Sequence, residues 1–151
     1  MHVRAAMLVL ALGVSAGCSA PPDAPPPYAG HTWTREGRAV SPEELTVISG
    51  PEHCEWQSAT LLYIRWPPGT SASTSTQLRQ YVRDPRGVMS AELRDRLQLR
   101  ATLPADARPT GYVSNDYGIY LSRTDQDEAI YVVSPRSVER WPRNQVVGAC
   151  L

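Results

Sequence analysis

Few side chains in this 151-residue chain have the chemistry of a nucleophile, a base or a metal ligand. The cysteines are Cys18, Cys54 and Cys150, and the histidines past the N-terminus are His31 and His53. In an oxidising compartment Cys54 and Cys150 would pair as a disulfide. That bridge closes a loop of 97 residues, which is worth about 4–5 kcal/mol in the chain-entropy model. The rival reading makes Cys54 a nucleophile beside His53, but neighbours on a strand point to opposite faces, so the dyad needs a bend. Glu52, His53 and Glu55 lack the spacing of a three- or four-ligand metal site, and no metal is expected. Asp125, Asp127 and Glu128, with Asn115 and Asp116 on a second turn, offer oxygens to calcium. They lack the glycine and distal glutamate of a helix-loop-helix site and read as solvated turns. A Ser–His–Asp triad would have to come from Ser58, His53 and Asp106. No glycine-rich phosphate loop, nucleophile elbow or zinc-protease pair is present, so no catalytic residue and no cofactor are assigned.

A second constellation is basic and aromatic. Tyr63, Arg65, Arg79, Tyr81, Arg83, Arg96 and Arg100 fall on what period-two alternation makes the outer faces of strands. If those strands are neighbours, they form one surface able to hold an anionic polymer or a protein partner. The simpler reading is cross-strand stacking and ion pairing on a solvated face.

The elements that must position these residues are short and mostly β. Residues 50–54 read as a turn into the central strand, which runs to Trp66, with Cys54, Trp56, Ser58, Thr60, Leu62, Ile64 and Trp66 on a core face and Leu61, Tyr63 and Arg65 on the other. Before it, Ser41-Pro42-Glu43-Glu44 has the form of a helix start, but Leu45–Ser49 is β-prone, so at most one helical turn and a short strand are expected. Residues 77–83 alternate, with Leu78 and Val82 taken as inward. Asp84-Pro85-Arg86-Gly87 suits a type I turn. Ser90 suits the cap of a short helical turn, and residues 96–103 alternate as a half-buried strand. From residue 110 to 141 four strands follow at about ten-residue spacing, a meander. Residues 146–150 make a last short strand or tail. The expected fold is mainly β, an antiparallel sandwich, small barrel or twisted meander sheet with at most one or two short helices. The alternative is α+β.

The formal charge is zero, and −1 once Arg4 is removed, which argues against a nucleic-acid partner. Residues 1–4 are basic and residues 5–17 are mostly apolar, too short a run to span a bilayer. Ser15-Ala16-Gly17-Cys18 resembles the bacterial lipoprotein box, which implies cleavage before Cys18 and lipid on its sulfur. Ordinary cleavage after Ala16, giving a soluble secreted chain, is the alternative. The cysteine count favours lipid, because it leaves an even pair. Residues 18–30, with five prolines between 19 and 30, form an extended linker. Residues 31–151 then form the domain.

The stretches GPEHCEWQSATLL, YVRDP, LRATLPADA and VERWPR resemble small secreted lipoproteins of actinobacterial type. The resemblance implies an exported, lipid-anchored domain on the outer face of the cell membrane with two paired cysteines. It brings no activity and no functional residues. The expected role is non-enzymatic binding of an envelope protein, a cell-wall polymer or a small solute. The alternatives are an envelope-directed hydrolase and an inhibitor or accessory subunit.

Overall fold

The computed structural model describes Gly30 and residues 32–50, 56–67, 76–125 and 128–145. The strands are β1 (Thr34–Arg35), β2 (Arg38–Ala39), β3 (Leu45–Ser49), β4 (Thr60–Trp66), β5 (Gln77–Arg83), β6 (Arg108–Ser114), β7 (Tyr117–Leu121), β8 (Ala129–Ser134) and β9 (Ser137–Asn144). One short helix, α1, covers Ala91–Arg96. The strands form a single antiparallel sheet in the order β2-β1-β6-β7-β8-β9-β5-β4-β3, curled into a half-barrel. The fold is mainly β, as expected.

Local chemistry explains most boundaries. The proline and acids at 42–44 make only a turn, and β3 begins at Leu45. Residues 110–141 form the meander β6–β9, joined by tight turns such as Asn115-Asp116 and Pro135-Arg136. Asn115 takes a positive φ of 50°, a conformation asparagine tolerates well. The β1–β2 hairpin turns on Glu36 (φ 52°) and Gly37 (φ 78°), the double positive-φ geometry that suits the twist of a two-residue hairpin.

The inner face of the curl holds the core. Leu62, Ile64 and Trp66 of β4 meet Tyr81 of β5, Trp141 of β9 and Tyr112 of β6. Trp66 packs edge-on against Tyr112, with ring centroids 5.9 Å apart. Its indole N–H donates to the Tyr81 hydroxyl at 3.1 Å. A smaller cluster lies on the outer face, where Leu61 and Val82 are covered by Leu93 of α1.

Three expectations are corrected. Among the described residues, the central strand expected to run to Trp66 is β4, Thr60–Trp66. Residues 56–59 form a turn, closed by Ala59 N–H to Trp56 O (2.8 Å) and Gly50 N–H to Ala59 O (3.0 Å). The faces of β5 are reversed. Tyr81 is fully buried and Arg79 nearly so, while Leu78 is 47% exposed. The register pairs Leu62 with Tyr81 and Ile64 with Arg79, which places both on the core face. Residues 96–103 are not a strand: α1 ends at Arg96, and beyond it Gln98 and Ala101 make isolated backbone bonds to Arg140 and Val138 of β9. Leu97 ends the helix by donating its N–H to both Leu93 O and Arg94 O.

The sidedness of β5 is testable. Tyr81→Phe leaves the buried indole N–H of Trp66 without its acceptor and should cost about 1–3 kcal/mol. Leu78→Ser, on the exposed face, should change stability by no more than about 0.5 kcal/mol. Urea denaturation of both variants reads the difference, and equal effects would show the assignment to be wrong.

Candidate binding cleft

A helix of six residues cannot hold itself, so α1 depends on its ends and on Leu93. Ser90 caps it, with its hydroxyl accepting from Glu92 N–H at 3.2 Å. Asp84 sets the approach. It is fully buried at the end of β5, and its side-chain oxygens accept from three successive backbone amides, Val88 (2.9 Å), Met89 (3.0 Å) and Ser90 (3.2 Å). Its own carbonyl accepts from Gly87 N–H at 3.2 Å, completing the expected turn. Gly87 has a φ of 70°, and an added Cβ would also meet the Arg94 side chain at 3.4 Å.

Between α1 and the end of β9 lies a cleft of about 290 Å³. Trp56, Met89 and Leu93 give it an apolar wall; Glu92, Arg96 and Asn144 give it a polar one. The polar wall is braced. Arg96 pairs with Glu92 (3.4 Å) and Glu128 (2.9 Å). The Asn144 amide donates to Gln80, and Gln80 donates to the Tyr63 hydroxyl at 2.5 Å, a row running across β9, β5 and β4. Trp56 and Met89 are half-buried, so part of each remains open to solvent.

The basic aromatic residues do not form one surface. Arg79 and Tyr81 face the core, and Arg79 donates twice to Gln77 Oε1 (3.2 and 2.7 Å). Arg83 lies on the same inner face and pairs with Glu139 at 2.9 Å. Tyr63 and Arg65 are on the outer face, Arg96 is on α1, and Arg100 is exposed beyond the helix. The reason is local: β5 carries polar and apolar residues on both of its alternating sets, so alternation does not reveal which set is buried.

Of the acidic turn, Asp125 and Glu128 are committed internally, and Asp127 lies outside the described residues. Asp125 accepts from Arg140 (3.0 Å) and from the Tyr131 hydroxyl (2.6 Å). The Arg140 hydrogen bond, with Tyr131, holds its carboxyl below the usual range, while burial and then Asp125 push Tyr131 up to about 12. Asp106 accepts from Ser122 Oγ and Arg123 N–H, both at 2.9 Å. Among the described residues, no group of three His, Cys, Asp or Glu could hold a metal. Ser58, whose hydroxyl is buried without a partner, is in the turn before β4. Cys18, His31, His53, Cys54 and Cys150 lie outside the described residues.

A second feature was not legible from pattern: the seam where the sheet's two edges meet. Glu44, just before β3, accepts from Arg38 of β2 (2.8 Å) and from the Tyr112 hydroxyl of β6 (2.9 Å). Arg35 of β1 stands 3.6 Å from the same carboxylate. Beside them is a cavity of about 330 Å³ whose wall includes Arg35, Ser41, Glu43, Arg65 and Thr76. The Arg38 hydrogen bond, then Tyr112, hold the Glu44 carboxyl below its ordinary value, against burial.

A scan against protein-family models finds no match, and searches of curated proteins and of solved structures find none either.

Two outcomes follow. Asp84→Ala strips three backbone amides of a buried acceptor and should cost roughly 3 kcal/mol or more, with loss of α1, read by denaturation and by amide exchange at Met89 and Ser90. Glu44 and Asp125 are both depressed in the folded state. Their contribution is therefore present above the unfolded carboxylate value of about 4 and is lost as pH falls through the folded value. Stability should decline below about pH 4, and Glu44→Gln should flatten part of that decline. An unchanged pH slope in the variant would count against the seam.

Proposed function

We propose that this protein is a lipid-anchored domain of the bacterial cell envelope that acts by binding, without catalysis, through the cleft beside α1. The observation that carries this reading is the cleft itself: an indole, a thioether and a leucine on one wall, a braced polar wall opposite, and a volume near the lower end of ordinary ligand sites. Methionine and tryptophan suit a surface that must fit an apolar partner group. The partner is an envelope protein, a cell-wall polymer or a small solute carrying such a group.

The same place supports the disulfide. Trp56 and Gln145 both line the cleft. Cys54 is two residues before the first and Cys150 five after the second, within a chain reach of about 7 and about 18 Å. A Cys54–Cys150 bridge would tie together two sides of the cleft. Lipid on Cys18, followed by the proline-rich residues 19–30, would hold that cleft off the membrane surface.

Peptide mass spectrometry without reduction, on the membrane fraction of the host, tests the anchor and the bridge. A lipid-bearing Cys18 peptide and a linked Cys54–Cys150 pair are expected; an unlipidated N-terminus with free Cys54 overturns both. A photo-reactive methionine analogue at position 89 tests the cleft. It should give a discrete envelope adduct that disappears in Trp56→Ala. The same adduct from a probe at Arg136, in the distant β8–β9 turn, would sink the assignment.

A further inference from the structure

We propose that the seam cavity between β1 and β4 is a binding site for a single carboxylate group, held by Arg35 and Arg65. This site is separate from the α1 cleft, and its argument does not depend on that cleft.

Three observations carry it. The first is the state of Arg35. Its Nε is buried with no hydrogen-bond partner, and its Nη1 is 3.6 Å from Glu44, beyond hydrogen-bonding distance. The guanidinium is instead held in place from below, 5.1 Å from the centroid of the Tyr112 ring. A guanidinium has five N–H donors in a fixed fork that matches a carboxylate. Here the fork is rigidly placed on an aromatic face and under-used.

The second is the surroundings. The cavity has room for a small acid, at about 330 Å³. Arg65 lies on its wall and is exposed, anchored through Nε to the Glu43 carbonyl at 3.3 Å. Ser41 and Thr76 add hydroxyl donors to the same wall.

The third is charge. Arg35, Arg38 and Arg65 gather around Glu43 and Glu44, with Glu36 also acting on Arg38. The carboxylates already present disfavour a dianion such as phosphate more than a monoanion. Arg38 and Arg35 already approach one carboxylate in this cluster, that of Glu44.

The carboxylate could belong to a free small acid or to the C-terminus of a peptide, and the test separates them. Folded 15N-labelled protein is titrated at constant ionic strength with acetate, with N-acetylalanine as the peptide terminus, and with acetamide as the neutral control. The Nε–Hε resonance of Arg35, assigned by its loss in Arg35→Gln, is followed. A saturable shift with either acid, none with acetamide, and at least about tenfold weaker binding in Arg65→Gln are expected. Tighter binding of N-acetylalanine assigns a peptide terminus, and equal affinity assigns a free acid. Arg65 is exposed, so its replacement leaves the fold intact, and amide spectra check that. No saturable shift with either acid, a shift also produced by acetamide, or undiminished binding in Arg65→Gln overturns the proposal.

Discussion

Glu44 holds together two ends of a sheet that share no strand pairing. β2 and β3 are the edges of the nine-stranded order. A single curled sheet buries its apolar inner face only if those edges stay close. Among the described residues, the polar contacts that keep them so are the bonds from Arg38 and Tyr112 to one carboxylate, with Arg35 alongside. The link from β2 to β3 is only five residues long, so the covalent chain and the carboxylate act at the same place. Behind them, Tyr112 meets Trp66, and Trp66 meets Tyr81. The seam is thereby continuous with the core.

The outer face follows a different rule. There, among the described residues, α1 covers Leu61 and Val82, and it is a helix too short to persist alone. Asp84 supplies what the helix lacks, by gathering three amides of the segment that leads into it. The cleft therefore exists because a buried side chain at the end of β5 fixes the path of residues 88–90. Its opposite wall is an extension of the sheet, braced through Asn144, Gln80 and Tyr63. A site built between a sheet and a pinned helix keeps its shape without a ligand.

The extent to which this was legible in sequence depends on the residue. Leu45–Ser49 and the meander could be read because β-prone runs lie between unambiguous turn residues. Ser90 was readable as a cap because its role is local. In Gln-Leu-Arg-Gln-Tyr-Val-Arg, both alternating sets mix polar and apolar side chains, and the buried one contains two arginines. Only the paired residues of β4 and β9 decide which set turns inward. Residues 96–103 alternate well but follow a helix that still holds Leu97 by its N–H, so alternation there describes a loop. The seam was invisible for a stronger reason. Glu44 and Tyr112 are 68 positions apart, and nothing in either neighbourhood signals the other.

The order of strands in space also governs how fast the molecule can assemble. β3–β4, β4–β5 and the run from β6 to β9 pair neighbours in the chain, so each forms from local encounters. Two joins do not. Asn144 of β9 meets Gln80 of β5 across 64 positions, and Thr34 of β1 meets Val113 of β6 across 79. Each closes a long loop before any contact repays the lost entropy. The two halves of the sheet therefore form as separate meanders first. Their union at β5–β9 and the closing of the curl carry the larger loop-closure costs.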